Sequence, residues 1–364
     1  MDARLGFRHV AAESLGDAFA SGRLSPEYRE VVDQAAELLS ATQARLRALE
    51  SRGSGPDAER SIHALTLGLW NDWRDAWADA AQCLPEIVAA PNHLRLAKQY
   101  TEAQLTRELM GAPLWRQAYT KPSGYPGDYV VMDYIYDGAP AGDTPFGRIA
   151  HELAVHIGQF VVKRKDFVRQ AIAEAVARSA GPEPCTVASL GCGPAREVAE
   201  FLMLEPREAR PVHFVLVDQD SEALRCAGRQ LSAARAASPR RSPVRIDPRH
   251  LSVLKLLREV EPSALLPRAD MIYSAGLFDY FSDRTCRVLA RRLYGALRPG
   301  GLLLLGNMKA GTDMLWPLEL IADWSLSYRT AEGILSWAEG LPGAEISLRT
   351  EATGYDYLLS VLKT

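Results

Sequence analysis

Residues 186–197, TVASLGCGPARE, give the strongest indication of the fold. Its first half is apolar and has the length of a buried strand, and Gly191 and Gly193 then allow a tight turn and close approach of the backbone to a ligand. Pro194 suits the first turn of a helix, so we expect the following helix to present free N–H groups toward the turn. A glycine turn between a strand and a helix is typical of nucleotide-binding folds, although a turn without function has the same local form.

An acid at the end of the next apolar run supports a ligand. Residues 212–217 predict a second strand, and Asp218 follows it at the distance expected of an acid that accepts hydrogen bonds from ribose hydroxyls. The alternative is a strand-end acid without a ligand. Arg196 and Glu197 stand where a dinucleotide site would have its third glycine. The pattern therefore predicts a nucleoside-containing cofactor other than a dinucleotide.

Short apolar runs alternate with helical patterns from residue 184 to residue 364. Strands are predicted at residues 186–190, 212–217, 244–246, 270–274 and 301–305, with a closing pair at 344–349 and 355–362. Helices are predicted at residues 195–204, 221–237, 251–260 and 283–297. This alternation predicts an α/β fold in which a parallel sheet is covered on both faces, with the ligand at the carboxyl ends of the strands.

The first 145 residues have a different pattern. Ser25 and Pro26 form a helix start, and apolar residues then recur with a period of 3.6 up to residue 49. Residues 52–56 break the pattern, and two more amphipathic helices are predicted at residues 62–80 and 93–114. We therefore divide the chain into an N-terminal helical bundle, residues 1–145, and an α/β domain, residues 146–364.

Composition excludes several classes of protein. The 364 residues include 42 basic and 45 acidic ones, a net charge of −3 that argues against a general binder of nucleic acid. The five cysteines form no CxxC pair and no zinc-like cluster, so we expect no metal site and a reduced, cytoplasmic protein. No apolar run approaches a membrane span, and the first residues lack the apolar run of a signal peptide. The expected partner is a small-molecule substrate; the oligomeric state stays open.

Three strings resemble motifs of class I S-adenosylmethionine-dependent methyltransferases. They are LGCGPARE (190–197), RADMIYSAGLFDYF (268–281) and LRPGGLLLLGNM (297–308), which resemble the motifs of the first, fourth and fifth strands. The resemblance implies a Rossmann-like seven-stranded sheet of order 3-2-1-4-5-7-6, with an antiparallel last strand. It also implies that the nucleoside-containing cofactor is S-adenosylmethionine.

A narrower resemblance covers about residues 115–364. The strings KPSGYPGDYVVMDYIY (121–136), GDTPFGR (142–148) and the segment 305–330 resemble a bacterial family that makes an extracellular factor, 3-hydroxypalmitic acid methyl ester. They are also similar to enzymes that cyclise S-adenosylmethionine to azetidine-2-carboxylate and methylthioadenosine. The resemblance implies secondary-metabolite or signal biosynthesis, either by methyl transfer to a carboxylate or by intramolecular attack of the cofactor's α-amine. A non-catalytic cofactor-binding module is a third reading.

The resemblance also implies roles for individual residues. Cofactor contacts are expected from Gly191, Cys192, Gly193, Arg196, Asp218, Gln219, Ser252, Ser274 and Asp128. Catalytic roles are expected from Tyr125, Tyr273 and Asn307. Two of these residues have plain alternatives: Arg196 either binds a carboxylate or pairs with a neighbouring glutamate, and Asn307 either orients an amine or carboxylate or caps a loop.

The turn Gly-Tyr-Pro-Gly-Asp, residues 124–128, is predicted to be a lid. If it folds over the cofactor it excludes water, and the ring of Tyr125 can stabilise a sulfonium by cation–π attraction. The alternative is an interdomain turn followed by a helix whose tyrosines pack against the bundle.

Overall fold

The computed structural model describes residues 24–51, 55–179, 183–204, 210–238, 242–259 and 265–364. These residues form two compact units. The first contains the described residues up to Trp115 together with Ala141–Ala150 and Asp313–Trp324, and the second contains Arg116–Pro140, His151–Thr312 and Ser325–Thr364. The division differs from a single boundary near residue 145, because packing rather than chain order decides which unit a segment joins. The predicted lid turn lies in the second unit.

The first unit is built from helices. They are α1 (Pro26–Glu50), α2 (Pro56–Val88), α3 (Pro91–Thr101), a π-helical turn at Glu102–Thr106, the short α4 (Arg107–Leu109) and a second π-helical turn at Trp316–Ile321. Ser25 caps α1 by accepting a hydrogen bond from Tyr28 N at 3.2 Å, as the start pattern predicts. The predicted helix over residues 93–114 is interrupted by the π-helical turn, and most of the predicted break at 52–56 lies outside the described residues.

Buried aromatic side chains form the centre of the first unit. The rings of Trp73 and Trp316 lie 5.2 Å apart, and the hydroxyl of Tyr28 is 2.6 Å from that of Thr101. Tyr28 is fully buried, so this contact satisfies a polar group that burial removes from water. A helical bundle is the structure expected for this part of the chain.

The second unit contains a seven-stranded sheet within the described residues. Its strands are β1 (Cys185–Leu190), β2 (Val212–Asp218), β3 (Val244–His250), β4 (Ala269–Ser274), β5 (Leu297–Met308), β6 (Ala344–Thr350) and β7 (Asp356–Lys363). Their order is β3-β2-β1-β4-β5-β7-β6, and β7 runs antiparallel to both of its neighbours. This confirms the predicted fold class and strand order.

Helices precede, follow and connect these strands. They are α5 (Pro113–Thr120), α6 (Tyr129–Asp137), α7 (Pro145–Ile157), α8 (Gln159–Arg178), α9 (Arg196–Leu204), α10 (Ser221–Ala237), α11 (Val253–Arg258), α12 (Asp283–Gly295) and α13 (Ala331–Leu335), with α5 and α7 each divided between the two units. Three-residue 3₁₀ helices lie at Phe278–Tyr280 and Ser336–Ala338.

Each face of the sheet has its own apolar core. Alternate residues of β1 show this, because Ala188 and Leu190 pack in one cluster whereas Val187 packs in the other. Leu256 of α11 and Leu289 of α12 belong to the first cluster. The second cluster is covered by α8, α9 and α10. The parallel strands are therefore shielded from water on both sides, as predicted.

The carboxyl ends of β1, β2 and β4 meet at one edge of the sheet. Near this edge β5 approaches the loop after β4 so closely that a Cβ on Gly306 would lie 2.2 Å from the carbonyl oxygen of Ala275. Only glycine therefore lets β5 take its place beside that loop.

We predict that Gly306→Ala lowers the free energy of unfolding by about 1–3 kcal/mol, the cost of overpacking a well-packed site. Gly295→Ala is the matched control, because a Cβ on Gly295 in α12 would meet no atom within 4 Å. The control is expected to be neutral or to stabilise the protein by up to about 1 kcal/mol through helix propensity. Urea unfolding measures both variants, and equal stabilities would contradict the close approach at Gly306.

Candidate functional site

The glycine loop after β1 turns through left-handed backbone. Gly191 has a φ of +64° and Gly193 a φ of +50°, and the N–H groups of Gly191 and Cys192 donate to the carbonyl of Val217 at 2.9 and 3.2 Å. Ala195 also has a positive φ, +53°, and α9 begins only at Arg196. The prediction that Pro194 occupies the first helical turn is therefore wrong, because the left-handed residue delays the helix.

Asp218 at the end of β2 holds this loop in place. One carboxylate oxygen accepts a hydrogen bond from Gly193 N and the other from Asp220 N, each at 2.9 Å. The side chain is buried, which raises the pKa of Asp218, while the bonds from the two N–H groups act in the opposite direction. A carboxylate has about four acceptor positions, so Asp218 retains capacity for a ligand.

A cleft of about 640 Å³ opens at the segment that follows β2, which begins with Gln219 and Asp220. The segment before α6 contributes Tyr125, and the first turn of α6 contributes Tyr129. The edge of the sheet contributes Gln219, His250 and Ser252. The structure thus brings Tyr125, Gln219 and Ser252, which are far apart in the chain, to one cleft.

Sequence reasoning missed part of the cleft's lining. Asp220 and Glu222 line it just after β2, and His250 lines it from the end of β3. The ring Nε2 of His250 lies 2.8 Å from the carbonyl oxygen of Gln219. His250, the last residue of β3, is opposite Asp218 in the register of the two strands.

Asp128 shapes the turn that carries Tyr125. One of its carboxylate oxygens accepts from the N–H groups of Val130 and Val131 at 3.1 and 3.0 Å. The other accepts from Gln117 Nε2 at 2.7 Å and from the Ser123 hydroxyl at 2.8 Å. Asp128 is fully buried and caps α6, a different role from the cofactor contact expected of it.

Tyr125 is half-buried near several acids. Burial, and then the charges of Asp218, Asp220 and Asp128, raise the pKa of Tyr125 above its usual range. The hydroxyl therefore stays protonated at neutral pH and can donate a hydrogen bond. Tyr125 is thus a neutral aromatic group beside a carboxylate.

Arg196 connects α6 to α9, the helix that follows the glycine loop. It pairs with Asp137 at 2.6 Å and with Asp133 at 3.3 Å, both on α6. Asp133 also accepts from Gln230 Nε2 at 2.8 Å and from the thiol of Cys226 at 3.2 Å. In place of the expected pair with a neighbouring glutamate, Arg196 pairs with two acids of α6 that lie 59 and 63 residues before it in the chain.

Tyr273 and Ser274 support the loop from within the sheet. The hydroxyl of Tyr273 donates to Glu197 Oε1 at 2.6 Å, and the Ser274 hydroxyl donates to the carbonyl of Leu190 at 3.0 Å. Burial raises the pKa of both Tyr273 and Glu197. Cys192 is buried as well, and burial raises the pKa of its thiol well above the usual value. All these groups are enclosed by protein.

Asn307 is bound at both ends of its amide. Its Nδ2 donates to the carbonyls of Met308 and Ser327 at 2.8 and 2.9 Å, and its Oδ1 accepts from Arg329 at 2.6 Å. The side chain is fully buried. Asn307 therefore joins the end of β5 to the segment around residue 327, which agrees with the plainer of the two expectations for it.

A buried charge cluster lies behind the loop after β4. Arg164 pairs with Asp356 at 3.1 Å and lies 3.9 Å from Asp279, and a Cβ on Gly276 would come within 2.8 Å of its guanidinium. Burial raises the pKa of Asp356 to about 7 against the opposing effect of Arg164. No motif marks these residues, because packing alone brings α8, the 3₁₀ turn and β7 together.

No family model matches the chain. It is 26% identical over 208 residues to the uncharacterized protein YnbC of Escherichia coli K12, a match over 54% of this chain and 32% of YnbC. The matched region thus covers only about a third of that relative's length.

Two solved structures are similar at low identity. A "possible exported protein" of Bordetella parapertussis is 17% identical with a TM-score of 0.49, over 90% of this chain and 96% of that one. The magnesium protoporphyrin IX methyltransferase of Synechocystis PCC 6803, solved with bound S-adenosylhomocysteine, is 12% identical with a TM-score of 0.44, over 65% and 96%.

The strand order itself assigns the fold. A seven-stranded sheet of order 3-2-1-4-5-7-6 with an antiparallel seventh strand is the class I methyltransferase fold. The glycine loop and Asp218 occupy the ligand-binding edge of such sheets. None of the helices formed by the described residues is both long and apolar enough to cross a membrane.

Proposed function

We propose that the protein binds S-adenosylmethionine and transfers its methyl group to a carboxylate or a similar nucleophile on a small molecule. The observation that carries the proposal is Asp218, held by the N–H groups of Gly193 and Asp220 beside a left-handed glycine loop in this fold. The strings resembling the family that makes 3-hydroxypalmitic acid methyl ester support a role in secondary-metabolite or signal biosynthesis.

The residues present fit the cofactor. Asp218 is proposed to accept hydrogen bonds from the ribose hydroxyls, with Gln219, Ser252 and His250 around the adenine. A Cβ on Gly193 would meet no atom within 4 Å, so the space over the loop is open to the methionine portion of a ligand. When bound, S-adenosylmethionine supplies an activated methyl group, because its sulfur is a sulfonium.

The protein's contribution is then mainly positioning and exclusion of water. A carboxylate acceptor is already ionised at neutral pH, so no residue has to act as a strong base. Tyr125 is proposed to place its ring against the sulfonium, and the turn held by Asp128 to cover the site. Burial of Tyr273 and Asn307 favours positioning roles for them, with Tyr273 supporting the glycine loop through Glu197.

The five cysteines, Cys83, Cys185, Cys192, Cys226 and Cys286, are free thiols in the structure. Unpaired thiols are usual in a reducing compartment, which supports a cytoplasmic protein. The balanced charge of the whole chain supports a small molecule rather than nucleic acid as the substrate.

Asp218→Ala is predicted to weaken binding of S-adenosylmethionine on the order of 100-fold, because hydrogen bonds to a charged group contribute roughly 1.5–3 kcal/mol each. Calorimetric titration measures the change. Asp247→Ala on the neighbouring strand β3 removes an equal charge that pairs with Arg249 and is expected to leave the affinity unchanged. Equal affinities in the two variants would contradict the ribose contact.

Substitution of Tyr125 tests the lid. Tyr125→Phe keeps the ring, so it should leave folding intact while reducing turnover. Tyr125→Ala should reduce turnover by a further factor of roughly 3 to 30, the contribution of a cation–π contact. Steady-state kinetics of both variants, with circular dichroism as a check of folding, provide the measurement. Unchanged kinetics in both would remove Tyr125 from the site.

The reaction itself is tested by product analysis. The purified protein is incubated with S-adenosylmethionine alone and then with carboxylic acids, long-chain 3-hydroxy acids first, and the products are identified by mass spectrometry. We expect S-adenosylhomocysteine and a methyl ester that form only when an acceptor is present. Methylthioadenosine with an equimolar amount of azetidine-2-carboxylate, formed without any acceptor, would instead establish the cyclisation and overturn methyl transfer.

A further inference from the structure

The charge cluster around Arg164 lies at the ligand-binding edge of the sheet. Asp356 is the first residue of β7 and is opposite Met308, the last residue of β5, so both lie where the parallel strands end. Arg164 of α8 pairs with Asp356, and an oxygen of Asp279 lies 3.9 Å from the same guanidinium nitrogen. All three side chains are buried. When all are ionised, the cluster therefore has one negative charge in excess.

Asp356 has an oxygen without a hydrogen-bond donor. Its Oδ2 accepts from Arg164 Nη1 at 3.1 Å, whereas its Oδ1 is buried and has no partner. Among the described residues, no other buried carboxylate oxygen lacks a partner. Unsatisfied buried polar atoms are rare in folded proteins, and burying a carboxylate costs free energy unless donors compensate it. A positively charged donor on a ligand would supply this compensation.

The guanidinium of Arg164 has donors to spare. Its Nη1 faces the two carboxylates, and its Nη2 makes no hydrogen bond to any described residue. A Cβ on Gly276 would lie 2.8 Å from Nη2, so the absence of a side chain at residue 276 leaves this side of the guanidinium uncovered. The planar fork of donors on a guanidinium matches a carboxylate. One cluster thus offers a donor side and an unsatisfied acceptor.

The loop after β4 lies between this cluster and the glycine loop. A Cβ on Gly191 would lie 3.3 Å from the Cβ of Leu277, which follows Gly276 in the chain. Strands β2, β1 and β4 are consecutive neighbours in the sheet, so the end of β4 lies two strand spacings, roughly 10 Å, from the end of β2. A ligand that is bound at Asp218 and crosses the glycine loop therefore extends toward Gly276 and Arg164.

We propose that the cluster of Arg164, Asp279 and Asp356 binds an α-amino acid group. The uncovered side of Arg164 suits the carboxylate of such a group, and Oδ1 of Asp356 suits its ammonium. A simple anion would be repelled by the two carboxylates and a simple cation by the guanidinium, whereas a group that carries both charges complements the whole cluster. The inference rests on the proposed binding of S-adenosylmethionine, whose methionine end is one source of an α-amino acid group. A separate amino acid that accepts the methyl group is the other source.

The first source is tested by calorimetric titration of the full chain with S-adenosylhomocysteine and with methylthioadenosine. Both compounds contain the nucleoside and a thioether, and only S-adenosylhomocysteine carries an α-amino acid group. Arg164→Gln and Asp356→Asn should each weaken binding of S-adenosylhomocysteine on the order of 10- to 100-fold, because each removes a hydrogen bond between charged groups. Binding of methylthioadenosine should stay unchanged in both variants.

Two further variants separate this effect from a defect of folding. Gly276→Ala keeps every charge and places a Cβ against Nη2 of Arg164, so it should also weaken binding of S-adenosylhomocysteine alone. Arg169→Gln, on the same helix, removes a cation that lies 3.9 Å from Glu200 and should leave both affinities unchanged. Circular dichroism checks the fold of each variant. If Arg164→Gln and Asp356→Asn do not fold, the comparison of Gly276→Ala with Arg169→Gln decides.

The second source is tested by titrating glycine and then larger α-amino acids into the protein, with and without methylthioadenosine. Binding of an amino acid that is lost in the Arg164 or Gly276 variant would assign the cluster to the methyl acceptor. The inference is overturned if these variants change neither the preference for S-adenosylhomocysteine over methylthioadenosine nor the binding of any amino acid. A protein that binds neither nucleoside would instead overturn the proposed function, and the amino acid titration would still test the cluster.

Discussion

The carboxylate of Asp218 is the interaction on which the candidate site depends. It joins the end of β2 to the turn after β1 through Gly193 N and to the start of the next connection through Asp220 N. Burying a carboxylate costs free energy unless N–H groups donate hydrogen bonds to it. The backbone segments that carry Gly193 N and Asp220 N are therefore held beside Asp218. The same two hydrogen bonds fix the orientation of the glycine loop and the position of the Asp218 carboxylate.

Other polar contacts extend this arrangement outward. Tyr273 reaches Glu197 beneath the loop, and Arg196 ties α9 to α6, the helix that Asp128 caps. The segment that carries Tyr125 is thereby attached to the same helix that leaves the glycine loop. Hydrogen bonds and ion pairs thus connect the glycine loop, the edge of the sheet and α6, the helix that follows the turn at residues 124–128.

Local patterns predicted the second unit well. All seven strands lie where apolar runs predicted them, although β3 and β5 extend several residues further, and the helix over residues 221–237 was predicted with its observed bounds. The predictions were poorer where no particular residue type marks the backbone conformation. Ala195 is the example, since its left-handed φ delays α9, and the π-helical turn at Glu102–Thr106 is another.

The fold class, the glycine turn and the acid after β2 could be predicted from the sequence alone, because strand periodicity and turn chemistry act between residues that are close in the chain. The partners of three polar side chains depend on packing and could not be predicted. Asp128 caps a helix, Arg196 pairs with Asp133 and Asp137, and Asn307 bonds to Arg329 and Ser327. A polar side chain takes whichever partners packing brings within about 3 Å of it, and those partners come from distant parts of the chain.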